Sequence, residues 1–107
     1  TIIIPETVTS IGNYAFYNCA KLETIYYNAI NCANLGESNY TFYKAGTLGD
    51  GIELIIGNKV ESIPANLFCP YNSSSTTYAP KLTSVVFEDE TSCRNIGQNA
   101  FAYCILY

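Results

Sequence analysis

Apolar residues recur along the chain in short alternating runs, never in long blocks. Four such runs stand out: Ile2-Ile3-Ile4, Leu22-x-x-Ile25-x-Tyr27, Leu54-x-Ile56 and Leu82-x-x-Val85-x-Phe87. A period of two predicts β-strands that place Ile2 and Ile4, Ile25 and Tyr27, Leu54 and Ile56, and Val85 and Phe87 on one buried face. Each run is followed by a second pattern. Val8-Thr9-Ser10-Ile11-Gly12-Asn13-Tyr14-Ala15-Phe16-Tyr17-Asn18-Cys19 returns as Cys93-Arg94-Asn95-Ile96-Gly97-Gln98-Asn99-Ala100-Phe101-Ala102-Tyr103-Cys104. Val60 to Tyr71 carries the same apolar positions, and Cys32 to Tyr43 carries them with Glu37-Ser38 inserted.

Strand and trailing segment together form one unit, and the chain holds four irregular copies, at about 1–21, 22–51, 52–81 and 82–107. Equivalent strand positions lie 23 residues apart from Ile2 to Ile25, 29 from Ile25 to Leu54 and 31 from Leu54 to Val85. The shortest spacing falls within the ~20–29 residues of leucine-rich repeats. A single unit of this size cannot bury its own apolar face, whereas stacked units share one continuous core. The added length has loop chemistry. Ala45-Gly46-Thr47-Leu48-Gly49-Asp50-Gly51 ends in an Asp-Gly turn signal, and Asn72 to Pro80 is serine-rich and stopped by proline. Both are expected on the surface.

These residues carry a resemblance. Leu-x-x-Ile-x-(Ile/Tyr/Phe) followed by Val-x-x-Ile-Gly-x-x-Ala-Phe-x-x-Cys resembles the BspA-like (Treponema pallidum-type) leucine-rich repeat, with Thr1 to Leu22 the best copy. Copy two departs from it with Ala45 at the Cys position, and copy three with Tyr71 there and Pro64 for the Gly. The resemblance implies a leucine-rich-repeat solenoid: a β-rich right-handed coil, a parallel sheet on its concave face, and short turns or helical segments between strands. It also implies an origin in longer arrays of secreted or cell-surface proteins, where adhesion to host or microbial surface and matrix proteins is the usual assignment.

Composition narrows the chemistry. The 107 residues suit one domain, and 49% hydrophobic against 13% charged residues rules out a disordered chain. Five Lys and Arg against nine Asp and Glu give a net charge of -4, so there is no basic footprint for nucleic acid. The apolar runs are too short for membrane insertion. Histidine is absent, which removes Ser-His and Cys-His nucleophile pairs, His-liganded zinc and the commonest general base. The expectation is a non-catalytic module without a cofactor. Glu53 and Glu88 share the outward face of the sheet without a pocket that would raise a carboxyl pKa. Glu88-Asp89-Glu90 lacks the calcium-loop pattern and is expected to be a solvated turn.

Five cysteines raise the question of disulfides. Cys32 and Cys93 share one repeat column and Cys19 and Cys104 another. Strands stack at roughly 4.8 Å, so same-column cysteines two or more repeats apart lie at roughly 10 Å or beyond, outside the ~7 Å that a disulfide tolerates. Small buried thiols are the expectation, with cross-column pairs involving Cys69, or a partner elsewhere, as the alternative. Asn39-Tyr40-Thr41 and Asn72-Ser73-Ser74 are glycosylation sequons expected in loops.

Strand alternation leaves Ile3, Tyr26, Ile55 and Val86 facing outward, one per repeat, with Glu53 and Asn28 at the rim. These six are the candidate ligand contacts. The same residues also suit a pleated surface by β-propensity alone. Tyr14, Tyr17, Tyr40, Tyr43 and Tyr103 are expected to pack, partly exposed, around the turns. The predicted function is protein binding and adhesion on the outward sheet face. A structural spacer displaying another domain, or an accessory module holding a glycan, are the alternatives. Thr1 starts inside a strand and Cys104-Ile105-Leu106-Tyr107 stops where the next would begin, so flanking repeats or end-to-end self-association are expected.

Overall fold

A computed structural model describes residues 1–36, 39–68 and 80–101 and the backbone of 105–106. Seven strands follow one another: β1 (Ile2–Ile4), β2 (Thr24–Tyr27), β3 (Ile52–Ile56), β4 (Ser62–Ile63), β5 (Lys81–Phe87), β6 (Asn95–Ile96) and β7 (Ile105–Leu106). Turns connect them, and no helix occurs among the described residues. Five strands form one parallel sheet in the order β1-β2-β3-β5-β7. A parallel neighbour requires a long return path, and each trailing segment supplies it.

The register follows the repeat alignment. Ile2, Ile25, Leu54 and Val85 are successive partners, as are Ile4, Tyr27, Ile56 and Phe87. Ile25, Tyr27, Leu54 and Ile56 are fully buried, and each contributes about 1.5–3 kcal/mol of transfer free energy. Ile2 on β1 and Val85 and Phe87 on β5 are only partly covered. In β3 the buried Ile52 precedes Leu54 by two residues, whereas Leu82 precedes Val85 by three. A bulge between Ile52 and Glu53 absorbs the difference and pairs Ile52 with Leu82. Ile105 and Leu106 extend the sheet as β7, so the C-terminal residues form the strand whose beginning the sequence marks.

Behind the sheet, the Ala-Phe landmarks build a spine. Phe16 stacks on Phe42 at 5.1 Å, Phe42 on Phe68 at 4.4 Å, and Phe68 on Phe101 at 5.8 Å, all within 23° of parallel. Each such contact adds roughly 0.5–1.5 kcal/mol beyond burial. Backbone bonds run beside the spine from unit to unit. The amides of Tyr14, Phe16 and Asn18 donate to the carbonyls of Asn39, Thr41 and Tyr43, and those of Asn66 and Phe68 donate to Gln98 and Ala100. A second parallel pair, β4 with β6, lies in the trailing segments and was not expected from the sequence.

Two expectations about loops change. The Ala45–Gly51 segment is not wholly on the surface: Ala45, Gly46 and Gly51 are buried and only Leu48 to Asp50 are exposed. Its anchors are backbone bonds from Gly46 and Leu48 to Cys19 and Ala20, and from Lys81 to Ala45. Asn39, in the first sequon, is 1% exposed. Its amide nitrogen donates to Gly36 O at 2.8 Å and Asn66 O at 3.0 Å, and its oxygen accepts the Thr41 amide at 2.9 Å. A glycan cannot be attached there without dismantling these bonds. The sequon at Asn72 lies outside the described residues.

The Tyr27 hydroxyl is buried, and its polar neighbour is the Cys32 thiol. Burial foremost, and the neighbouring Cys32 second, push this phenol far above the ordinary tyrosine range, so it stays protonated. Burial likewise pushes the Cys32 thiol up, an effect the Tyr27 hydroxyl partly offsets. The thiol is turned to the Ala33 carbonyl, 3.5 Å away.

Three outcomes follow from this packing, each readable in urea unfolding. A Cβ at Gly97 would enter the backbone of Pro64 and Ala65, whereas one at Gly12, in the same column, meets nothing within 4 Å. Gly97→Ala should therefore cost on the order of 3 kcal/mol and Gly12→Ala less than about 0.5 kcal/mol. Equal costs would show that the units do not clasp at this column. Asn39→Asp turns an acceptor toward two carbonyls and should lose on the order of 3 kcal/mol. Tyr27→Phe removes a buried hydroxyl whose polar neighbour is a weakly bonding thiol, and should change stability by less than about 1 kcal/mol in either direction. A loss above about 1 kcal/mol would reveal a stronger partner for that hydroxyl than the thiol.

Candidate interaction surface

Five of the six candidate contacts lie on one face of the large sheet, and Asn28 follows the end of β2. Ile3, Tyr26, Ile55 and Val86 are direct partners across β1, β2, β3 and β5, so the register brings them into a single row. Ile3 is 63% exposed, Val86 43% and Tyr26 36%, while Ile55 is half-buried between its neighbours. Glu53 is exposed one step from the row, between Thr24 and Ser84. Asn28 is half-buried beyond the end of β2, its amide bonded to the Ile4 carbonyl at 2.9 Å and its side chain lying over Gly57. A side chain at position 57 would displace it, so the bare glycine fixes where Asn28 sits. Beside Ile3 a depression of about 260 Å³ runs past Ile4, Val8, Ile11 and Phe16.

The row is apolar with an acidic edge, and its one hydroxyl belongs to Tyr26. Nothing in it supplies a nucleophile-base pair. Among the described residues no three His, Cys, Asp or Glu side chains gather as a metal site. The Glu88-Asp89-Glu90 turn uses its central carboxylate internally: Asp89 accepts the Thr91 hydroxyl at 2.7 Å and the Thr91 amide at 2.9 Å. Those two bonds hold the Asp89 carboxyl below its usual range. Cys19, Cys32 and Cys93 are free thiols, half-buried where full burial was expected. Cys69 and Cys104 lie outside the described residues. No helix among the described residues is long and apolar enough to cross a membrane.

A second surface lies in the turns. Tyr14 stacks on Tyr40 at 5.3 Å and 3°, and Tyr17 on Tyr43 at 4.8 Å and 2°. The two stacks touch at a tilt, 5.4 Å between Tyr14 and Tyr17 and 5.6 Å between Tyr40 and Tyr43. Tyr14 and Tyr17 are 56% and 45% exposed, as expected of residues packing around turns. Tyr103 lies outside the described residues. The sequence alone did not show that these four rings meet, although the equal repeat offsets of Tyr14 and Tyr40, and of Tyr17 and Tyr43, contained the signal.

The backbone beneath this cluster is unusual. Tyr14 and Tyr40 adopt positive φ, 63° and 53°, and the same column in the next two copies holds Asn66 and Asn99 at 61° and 59°. Tyr14 is the third residue of a turn closed by the Ala15 amide on the Gly12 carbonyl, and Asn99 occupies that place in the turn from Gly97 to Ala100. Asn and Gly suit a left-handed third position, and a bulky side chain there is strained.

No curated protein matches the chain, and no solved structure does. A family model does, over residues 1–107: the BspA type leucine rich repeat region (6 copies). With its parallel register, its phenylalanine spine and its repeated turns, this chain belongs to the BspA-type leucine-rich repeat family.

Proposed function

We propose that the chain is a non-catalytic adhesion module of a secreted or cell-surface protein, and that it binds a host or microbial surface or matrix protein on the outward face of its sheet. In this reading the units wind as a right-handed solenoid with that face concave. Leucine-rich repeats are protein-interaction modules, and here the carrying observation is the row of Ile3, Tyr26, Ile55 and Val86 in direct parallel register. Aligned apolar side chains on a rigid sheet lose little conformational freedom on binding, and an apolar row with a polar rim is the anatomy of a protein interface. Tyr26, central and amphipathic, is the anchor, with Glu53 and Asn28 setting polar contacts at the edge.

Tyr26→Ser, Ile55→Thr and Val86→Thr combined keep β-compatible side chains at two of the three positions. In a binding panel of extracellular-matrix proteins, the parent chain should bind at least one member and the triple variant, matched for thermal stability, should lose it. Binding that survives in the folded variant would move the interface elsewhere. No binding by either protein would favour a spacer that displays another domain.

A further inference from the structure

The outward sheet face carries charge as well as apolar surface, and the charge is of one sign. Glu53 precedes Ile55 by two residues on β3, and Glu88 follows Val86 by two, just past the end of β5. Glu53 pairs with Ser84, so the two glutamate positions lie four residues apart along the strand direction, about 13 Å. Ile55 and Val86, direct partners across the sheet, sit between them. Both glutamates are exposed, and among the described residues neither takes part in an ion pair.

The chain's own cations do not answer this charge. Its five Lys and Arg are Lys21, Lys44, Lys59, Lys81 and Arg94, and none occupies the row or the positions two residues to either side of it. Lys59 pairs with Glu6 at 3.2 Å, and the Lys81 ammonium donates to the Gly49 carbonyl at 3.3 Å. Lys21, Lys44 and Arg94 lie outside the strands. An anionic partner therefore meets two like charges at this face, whereas a cationic one is steered toward it.

We propose that the partner of the sheet face is a cationic protein segment: an extended stretch with Lys or Arg at two positions four residues apart and an apolar side chain midway between them. It rests on the reading of the sheet face as the protein-binding surface and adds the chemistry of the partner. In an extended segment, residues i, i+2 and i+4 share one face and span the same ~13 Å. Two cations at the ends reach Glu53 and Glu88 while the middle side chain covers Ile55 and Val86. Tyr26, the partner of Ile55 on β2, flanks that middle side chain.

The test is an NMR titration with three end-blocked peptides. The first is Gly-Thr-Lys-Thr-Val-Thr-Lys-Thr-Gly, the second has Glu for both Lys, and the third, Gly-Thr-Lys-Lys-Val-Thr-Thr-Thr-Gly, keeps the composition with the lysines adjacent. Two variants accompany the parent chain: Glu53→Gln with Glu88→Gln, and Asp50→Asn with Glu61→Gln, which removes the same charge at two exposed positions outside the strands. At low salt the first peptide should bind the parent chain about tenfold more tightly than the glutamate peptide and roughly threefold more tightly than the adjacent-lysine one. The Glu53, Glu88 variant should lose most of that preference, the control variant should keep it, and high salt should shrink it. No binding of the first peptide, equal binding of any two peptides, or a preference that survives in the Glu53, Glu88 variant or falls equally in the control would each overturn the proposal. Lysine and glutamate peptides that bind alike, and are both lost in the Tyr26, Ile55, Val86 variant, would leave the sheet face as the binding surface and remove only its cationic partner. First-peptide binding unchanged in that variant would overturn the sheet reading as well.

Discussion

Each unit must present its strand to the next at one spacing, and the phenylalanine spine holds the far side of every unit at the same spacing as the sheet. The sheet alone would leave the returning segments free to splay. Stacking of Phe16, Phe42, Phe68 and Phe101 closes them, and the backbone bonds between successive turns then form at 2.7–3.0 Å. Aromatic rings suit this task because they keep contact through small offsets, so the ring separation varies between 4.4 and 5.8 Å without a break in the column. Where the rings approach closest, at Phe42 and Phe68, both side chains are fully buried, and Asn39 bonds across the same pair of units to Asn66. Apolar and polar ties thus coincide at the centre of the stack.

Strand positions and their register were legible because they depend on local alternation and on alignment of equivalent landmarks, both of which a sequence displays. Ile3, Tyr26, Ile55 and Val86 form a row because a parallel sheet maps equal repeat positions onto direct neighbours. Features that depend on a departure from the repeat were not legible. The bulge at Ile52 and Glu53 arises because copy three reaches its first core residue one position later than the others. The β4–β6 pair forms only where Ser62-Ile63 and Asn95-Ile96 run extended side by side. Asn39 looks like a loop sequon in sequence, and only the three-dimensional closeness of Gly36, Thr41 and Asn66 makes it a buried clasp.

The half-buried state of Cys19 and Cys93 has a related cause. Landmark columns specify which residues face inward, but coverage at a given column depends on the neighbouring unit. Cys19 and Cys93 lie in the outer units, where side chains receive fewer neighbours, as Ile2, Phe16 and Phe101 also show, whereas Cys32 lies in an inner unit and its half-burial does not have that cause. A column pattern therefore predicts direction better than depth.

Tyr14 and Tyr40 extend that distinction from packing depth to backbone preference. The phenylalanine column is a case in which the residue the fold needs and the residue present agree in all four copies. At the left-handed turn position they agree at Asn66 and Asn99 and disagree at Tyr14 and Tyr40. Backbone propensity alone favours asparagine at all four sites. Ring stacking recovers part of the cost, since each tyrosine meets a parallel partner, yet Tyr14 is exposed and Tyr40 only half-buried, whereas Phe42 and Phe68 of the spine are fully buried. Two copies of one turn thus carry opposite solutions, one that satisfies the backbone and one that builds an aromatic surface. In a repeat protein the unmodified copies act as an internal reference, and a position where the strained residue replaces the comfortable one separates surface chemistry from the requirements of folding.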